Sequence, residues 1–281
     1  MTTSALVLGG GGVTGVAWEI GILAGLGAAG LDLTGADTIV GTSAGAVVAA
    51  QITSGATLDS LYEAQLAPPA GEIAAKTGIP FYAAMVGTML LSRDPQRFRQ
   101  RIGARALKAK TVPESVRREV IANRLPSHEW PDRRLLITAI DAATGEFVVF
   151  DRSAGVPLVA AVGASCAVPM VWPPVTIGER RFIDGGIRSS ANADLAAGAD
   201  RVVVIAPLTQ GGGAMSRVAN QVAVLRATAS VALIAPDAQA RAAFGRNLLD
   251  PARRAAAARA GRRQAADVAE MARAAWTGPS S

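Results

Sequence analysis

Short apolar runs alternate with glycine turns and alanine-rich segments along much of this chain. Continuous apolar runs of such length are typical of strands that are buried on both faces of a sheet. Strands are therefore predicted over residues 5–8, 37–40 and 201–206. Helices are predicted over residues 16–28, 44–52, 57–66 and 156–163. The alternation of strands and helices predicts an α/β protein.

The second half of the chain departs from this alternation. Residues 134–140 and 146–150 predict a β-hairpin, because the intervening Asp-Ala-Ala-Thr-Gly is typical of a turn. Residues 180–183 predict a strand that ends at an Asp-Gly-Gly sequence. Beyond residue 213 the chain is predicted to be helical, with an Ala/Arg-rich helix over 252–276.

A single domain is predicted over residues 1–281, with two additions. Residues 68–133 have a less regular pattern and predict a helical cap insertion, and residues 236–276 predict a basic C-terminal helical extension. Within the insertion, residues 79–91 are apolar and are followed at once by arginines. This run predicts either a core helix or a cap helix whose apolar side lines a groove for an acyl chain.

Composition excludes several classes of site. Cys166 is the one cysteine, which excludes an internal disulfide, and His128 is the one histidine, which excludes a His-rich metal site. We expect no cofactor and no metal. The start of the chain has no basic signal region, and no uninterrupted apolar run reaches the roughly 18–20 residues that span a bilayer. A soluble cytoplasmic protein is the expectation.

The net charge of +6 is concentrated in two segments. Residues 93–134 carry +7 and residues 241–276 carry +5. We expect these basic segments to make peripheral contact with an anionic membrane. Nucleic acid is not expected as a partner, because no aromatic residues that could stack on bases interleave with the C-terminal arginines.

A glycine-rich loop follows the first predicted strand, over residues 9–15. Glycines let backbone N–H groups converge, and the start of the next helix favours negative charge, so the loop predicts an anion site. Gly10, Gly12 and Gly15 also match the spacing of a dinucleotide fingerprint. That fingerprint predicts an acidic residue at the end of the second strand, where this chain has Gly-Thr-Ser instead. Nucleotide binding is therefore the weaker alternative.

Gly41-Thr42-Ser43-Ala44-Gly45 lies between a predicted strand and a predicted helix, which is the context of a nucleophile elbow. A small-residue turn is the alternative interpretation. A nucleophilic serine needs a base, and His128 lies in an irregular segment far from any strand end, which disfavours a Ser-His-Asp triad. Asp184, at a strand end and followed by two glycines, is the candidate base, although Asp-Gly-Gly is also common in turns.

These motifs, in this order, resemble the patatin-like phospholipase family, and Ser165-Cys166-Ala167-x-Pro169 resembles the same family. The resemblance covers most of residues 5–206. It implies a three-layer α/β/α fold with a mainly parallel central sheet and a helical cap insertion. It further implies a hydrolase of lipid or ester substrates with a Ser–Asp dyad. By the match, Ser43 is the nucleophile, Asp184 is the base, and the N–H groups of Gly10, Gly11 and Gly12 form the oxyanion hole. The supporting glycines are Gly15, Gly41, Gly45, Gly185 and Gly186.

Two positions depart from the family pattern. Thr14 stands where family members usually carry Arg or Lys, and no Asn-x-Pro sequence follows Gly186. Arg188 is a candidate to supply the charge that Thr14 lacks, because it is close to Asp184 in sequence. A non-catalytic protein that binds lipid in its pocket, with its basic segments on the membrane, is the second functional hypothesis.

Overall fold

A computed structural model of the chain describes residues 2–69, 72–75, 87, 88, 92 and 94–278. The strands are β1 Ser4–Leu8, β2 Thr38–Gly41, β3 Arg134–Asp141, β4 Phe147–Phe150, β5 Val175–Ile177, β6 Arg180–Asp184, β7 Arg201–Ile205 and β8 Ser230–Ile234. The helices are α1 Gly12–Ala28, α2 Ala44–Ile52, α3 Leu58–Leu66, α4 Pro95–Lys108, α5 Glu114–Arg124, α6 Leu158–Ser165, α7 Val218–Leu225, α8 Ala238–Phe244 and α9 Arg254–Thr277.

The described strands form one sheet in the order β5-β6-β3-β2-β1-β7-β8, and β4 pairs with β3. The strands from β3 to β8 along this order run parallel, whereas β4, β5 and β6 are antiparallel to their neighbours. Because β1 and β2 are adjacent and parallel, the loops after them lie at the same edge of the sheet. The glycine-rich loop and the Gly-Thr-Ser-Ala-Gly turn are therefore neighbours.

The antiparallel strand β6 ends at the same edge of the sheet as β2, because β3 extends past the end of β2 and pairs with β6 there. Gly41 is the last residue of β2 and pairs with Ile137, while Asp184 pairs with Ala139 two residues further along β3. The register places the end of β6 beside the end of β2.

Side chains alternate between two helical layers on the two faces of the sheet. Leu6 and Leu8 of β1 belong to the large core under α1, α2, α6 and α9, whereas Ala5 and Val7 belong to the core under α7. This period of two is the signature of a sheet that is covered on both faces. The protein is a three-layer α/β/α structure with a mostly parallel central sheet.

Most predicted elements are confirmed, including the hairpin of β3 and β4. The prediction that the chain is helical beyond residue 213 is wrong, because Ser230–Ile234 forms β8, a parallel neighbour of β7. A five-residue apolar run has no periodicity that separates a buried strand from a buried helix. The sequence predicts that the first long helix begins at residue 16, whereas α1 begins at Gly12 and includes part of the glycine-rich loop.

The predicted C-terminal helix packs along α1 as part of a layer. A Cβ atom at Gly21 would lie 2.2 Å from the Ala258 carbonyl oxygen, and one at Gly261 would lie 2.3 Å from the Trp18 carbonyl oxygen. The two backbones thus approach more closely than any side chain at these positions permits. Several arginines of α9 contact other parts of the protein: Arg254 donates to Gln65, Arg262 lies over Tyr62, Arg263 pairs with Asp237 and Arg273 donates to the Ala29 carbonyl.

The predicted insertion at 68–133 contains two described helices. Helix α4 buries Phe98 and Ile102 against Ile140 and Ile183, so that it packs over the end of the β3–β4 hairpin. The apolar run 79–91 lies almost wholly outside the described residues. Membrane contact through residues 93–134 stays a prediction, as does the cap itself. In the described part of the chain, no helix combines the length and the apolar character needed to cross a bilayer.

Candidate active site

Ser43 lies at the sharp turn between β2 and α2. Its backbone has φ +54° and ψ −114°, a conformation that non-glycine residues rarely adopt and that is typical of a nucleophile elbow. The flanking glycines make the turn possible, because a Cβ atom at Gly45 would lie 2.1 Å from the Leu8 carbonyl oxygen. A Cβ atom at Gly41 would lie 2.7 Å from the Ala46 Cα atom. The turn therefore requires small residues on both sides of Ser43.

Asp184 meets Ser43 across the sheet edge. The Ser43 Oγ atom donates a hydrogen bond to Asp184 Oδ2 over 2.7 Å, and the Gly186 N–H group donates to Oδ1 over 2.8 Å. Both side chains are buried. Burial raises the pKa of Asp184 to about 6, and the hydrogen bonds from Ser43 and Gly186 act in the opposite direction. The carboxylate is thus a better proton acceptor than an exposed aspartate, and it is ionised at neutral pH.

The end of α6 holds both members of this pair in place. Ser165 Oγ accepts a hydrogen bond from the Ser43 N–H group over 2.9 Å, and the Ala167 carbonyl accepts one from the Asp184 N–H group over 3.0 Å. The Cys166 Sγ atom lies 3.2 Å from the Ser43 carbonyl oxygen and donates to it. The sequence motif pointed to this segment but not to these roles.

A buried polar cluster behind the pair was not found from sequence. The Asn192 Nδ2 group donates to Thr42 Oγ1 over 3.1 Å and to the Gly185 carbonyl over 3.3 Å, and Thr42 Oγ1 lies 2.9 Å from Thr138 Oγ1. Asn192 is fully buried and has φ +50°. These contacts connect the turn that carries Ser43 to the turn that follows Asp184. The spacing of these residues in sequence gives no signal for the cluster.

The glycine-rich loop packs against Ser43, since a Cβ atom at Gly10 would lie 3.4 Å from the Ser43 Cβ atom. The Gly10 N–H group, predicted as an oxyanion donor, instead donates to the Ser190 carbonyl over 2.6 Å. Gly11 and Gly12 cap and begin α1, where N–H groups have no acceptor within the helix. Gly12 has φ +62°, and a Cβ atom there would lie 2.6 Å from the Leu248 carbonyl oxygen. Of the three predicted donors, Gly10 is therefore already bonded to Ser190, and Gly11 and Gly12 stay candidates for an oxyanion hole.

Glu19 of α1 forms a hydrogen bond with the first residue of the glycine-rich loop. Its Oε1 atom accepts a hydrogen bond from the Gly9 N–H group over 2.9 Å, and the side chain is fully buried. Burial raises the pKa of Glu19 well above its usual value of 4.5, while the bond from Gly9 opposes that shift. At pH values between 4.5 and this raised pKa, the folded protein therefore holds a proton on Glu19 that the unfolded chain releases.

We expect Glu19→Gln to change the pH dependence of stability. Between pH 4.5 and the raised pKa, the folded wild type holds a proton that the unfolded chain releases, so the free energy of unfolding falls as the pH rises. Glutamine keeps the acceptor for Gly9 and does not titrate. Urea unfolding at pH 4.5 and pH 8 should show the variant gaining stability over wild type at the higher pH, by up to about 1.4 kcal/mol per pH unit.

The exposed Glu63→Gln substitution is the matched control for this experiment and should leave the wild-type pH dependence intact. Parallel stability curves for wild type and Glu19→Gln would contradict the assignment of a buried, protonated Glu19.

A small pocket of about 20 Å³ opens onto Ser43. Its lining includes Gly12, Arg117, Cys166 and Trp172. A larger cleft of about 150 Å³ shares Val13, Val16, Val47 and Arg124 with the pocket. Aliphatic side chains line both spaces, and the larger cleft is also lined by Gln65, Glu72, Arg124 and Arg254.

Other sequence candidates lie elsewhere. His128 is exposed, and its Nε2 atom lies 3.0 Å from the Ala122 carbonyl oxygen, so it does not approach the buried Ser43. The Arg188 guanidinium pairs with Asp194 and lies over the Phe147 ring. Among the described residues, no three His, Cys, Asp or Glu side chains cluster in a way that could hold a metal ion.

The sequence matches a family model described as patatin-like phospholipase over residues 6–197, which is more than half of the chain. The chain belongs to the patatin-like phospholipase family. Membership in this family supports lipid hydrolysis as the reaction of this chain. The matched segment contains the glycine-rich loop, Ser43 and Asp184, and it ends before β7.

Two solved structures of low identity are similar to this patatin-like chain. VipD from Legionella pneumophila is 12% identical with a TM-score of 0.47, and the match covers 96% of this chain and 67% of VipD. The type III effector protein ExoU is 18% identical with a TM-score of 0.42, and the match covers 96% of this chain and 53% of ExoU. No curated protein matches the sequence.

Proposed function

We propose that this protein is a serine hydrolase of lipid acyl esters, of the phospholipase A, lysophospholipase or esterase type, with Ser43 and Asp184 as its catalytic dyad. The observation that carries the proposal is the 2.7 Å hydrogen bond from the Ser43 hydroxyl to the buried Asp184 carboxylate. A nucleophilic serine requires an adjacent base, and this carboxylate is the group that contacts it. Family membership supplies independent support for a lipid substrate.

The acylation step follows from this contact. Asp184 Oδ2 takes the proton of the Ser43 hydroxyl while Oγ attacks the carbonyl carbon of the ester. The carbonyl oxygen becomes an oxyanion, and the N–H groups of Gly11 and Gly12 at the start of α1 stabilise its charge. The tetrahedral intermediate then collapses, and the leaving alcohol takes the proton from Asp184. An acyl group remains on Ser43.

Deacylation repeats the chemistry with water. Asp184 accepts a proton from a water molecule, and the hydroxide attacks the acyl carbon. The Ser43 oxygen leaves and recovers a proton from Asp184, which regenerates the dyad and releases the fatty acid. The hydrogen bond from Gly186 to Oδ1 keeps the other oxygen of Asp184 directed at Ser43 through both steps.

The proposal predicts covalent labelling of Ser43 by a fluorophosphonate, with a rate that follows the ionisation of Asp184. Protonated Asp184 cannot accept the serine proton, so the labelling rate should rise up to about tenfold per pH unit below pH 6 and level off above it. Labelling at a series of pH values, with peptide mass spectrometry to locate the adduct, measures both features.

A protein that binds lipid without hydrolysing it would not activate Ser43. Absence of labelling, labelling at another residue, or a rate that is flat from pH 5 to pH 8 would each contradict the dyad. Denatured protein is the control, because an unfolded chain does not hold Asp184 against Ser43.

A further inference from the structure

Arg117 of α5 is buried in the pocket of Ser43 without a hydrogen-bond acceptor. Only 5% of its surface is exposed, and its Nε and Nη1 atoms have no partner within the described parts of the chain. The guanidinium lies 4.0 Å from the centre of the Trp172 ring. Stacking on an indole favours a cation but leaves its N–H groups unbonded. Buried donors without a hydrogen bond are rare in folded proteins, so we expect an acceptor to bind here.

Trp172 adds a second donor at the same place. Its Nε1 atom is buried and also has no hydrogen-bond partner among the described residues. Both side chains line the pocket that contains Ser43. Arginine and tryptophan side chains donate hydrogen bonds and do not accept them, so the group that completes this site must be an acceptor.

Among the described residues, Arg117 has no salt-bridge partner, whereas the neighbouring Arg124 has one. Arg124 lies seven residues along α5, on the same helix face, and also lines the pocket. Its guanidinium forms a buried salt bridge with Glu72. Burial lowers the pKa of Arg117 to about 10, and the positive charge of Arg124 acts in the same direction. Arg117 therefore keeps its charge at neutral pH with no carboxylate hydrogen-bonded to it.

We propose that Arg117 and Trp172 form a subsite for the phosphate of a glycerophospholipid substrate, placed beside the ester that Ser43 attacks. This assignment rests on the proposed function of the dyad. A phosphodiester carries a permanent negative charge and oxygen atoms that accept from a guanidinium fork and from an indole N–H group. The subsite makes the enzyme selective for phospholipids over neutral acylglycerols.

The test compares two substrates that share one acyl chain, decanoyl-lysophosphatidylcholine and decanoylglycerol, both below the concentration at which they aggregate. Arg117→Met keeps the length of the side chain and removes its charge. We expect kcat/KM for the lysophospholipid to fall by about 10- to 100-fold, the range for losing charge-assisted hydrogen bonds. Hydrolysis of decanoylglycerol should stay within about threefold of wild type, because that substrate has no phosphate.

Two further variants keep the test decisive if Arg117→Met folds poorly. Trp172→Phe keeps an aromatic ring under the guanidinium and removes the N–H group. It should also lose activity on the lysophospholipid alone, by a smaller factor of about fivefold. Arg118→Met changes an exposed arginine at the next position of α5 and should alter the hydrolysis of neither substrate.

Inhibition provides a second measurement. Octyl phosphate should inhibit wild-type hydrolysis of p-nitrophenyl butyrate more strongly than octanol does, and Arg117→Met should abolish that difference.

The outcomes separate this proposal from the proposed function. Equal losses on both substrates in Arg117→Met and Trp172→Phe would overturn the phosphate subsite, because they would show a structural role. Unchanged selectivity in both variants would also overturn it. If wild type fails to hydrolyse even p-nitrophenyl butyrate, the dyad assignment has failed, and the subsite fails with it.

Discussion

Replacing Ser43 by alanine is expected to lower ester hydrolysis by about 10³-fold or more, because the variant lacks the hydroxyl group that we propose forms the acyl intermediate. Asp184→Asn should cause a loss of similar size. Asparagine has nearly the same shape and still offers an oxygen to the Gly186 N–H group, but it cannot take the serine proton. Initial rates with p-nitrophenyl butyrate, together with circular dichroism to show that the variants fold, measure the effect.

Cys166→Ala is the matched control for these two variants. The thiol is buried beside the Ser43 carbonyl, and burial raises its pKa to about 12, so it stays protonated and takes no part in proton transfer. Alanine removes only the weak S–H···O bond to the Ser43 carbonyl, so the hydrolysis rate of Cys166→Ala should stay within about threefold of wild type. Full activity in folded Ser43→Ala would show that Ser43 is not the nucleophile, and full activity in folded Asp184→Asn would show that Asp184 is not the base.

Gly45→Ala is expected to destabilise the protein by about 3 kcal/mol or more and to abolish activity with it. The new Cβ atom would lie 2.1 Å from the Leu8 carbonyl oxygen and 2.2 Å from the Leu8 carbonyl carbon. These are backbone atoms of a central strand and cannot move aside as a flexible side chain could. Denaturant unfolding of purified protein gives the change in free energy, and a low yield of folded protein is the extreme form of the same result.

Gly163→Ala provides the contrast for this experiment. Gly163 lies in α6, and a Cβ atom there would lie 3.6 Å from Val175, an ordinary contact distance. Alanine favours helix over glycine by about 1 kcal/mol, so this variant should be as stable as wild type or more stable. Similar stability for the two alanine variants would show that the elbow tolerates a side chain at Gly45.

The features predicted correctly from sequence are those that neighbouring residues determine. The glycines beside Ser43 and after Asp184 are needed by turns only a few residues long, and the apolar runs that precede those turns mark the ends of strands. The pairing of Ser43 with Asp184 is proposed from the place of Asp184 at a predicted strand end and from the order of the motifs, because nothing local to the two positions brings them together.

The features that were missed depend on contacts between distant segments. The acceptor for Gly10 is the carbonyl of Ser190, and the contact of Asn192 with Thr42 joins residues 150 positions apart. Arg117 lies in a segment where arginines are frequent, and the packing of Trp172 against it distinguishes it from its exposed neighbours. β8 was missed because its burial depends on pairing with β7.

α1 packs closely against α9, which lies outside the segment that the family model matches. The family match stops at residue 197, but the helix that presents Gly11 and Gly12 has its other side, at Gly21 and Gly25, pressed against α9. A fragment cut at the family boundary would lose β7, β8 and α9 and leave that side of α1 in water. We therefore expect the folding unit to be longer than the matched segment and to include β7, β8 and α9.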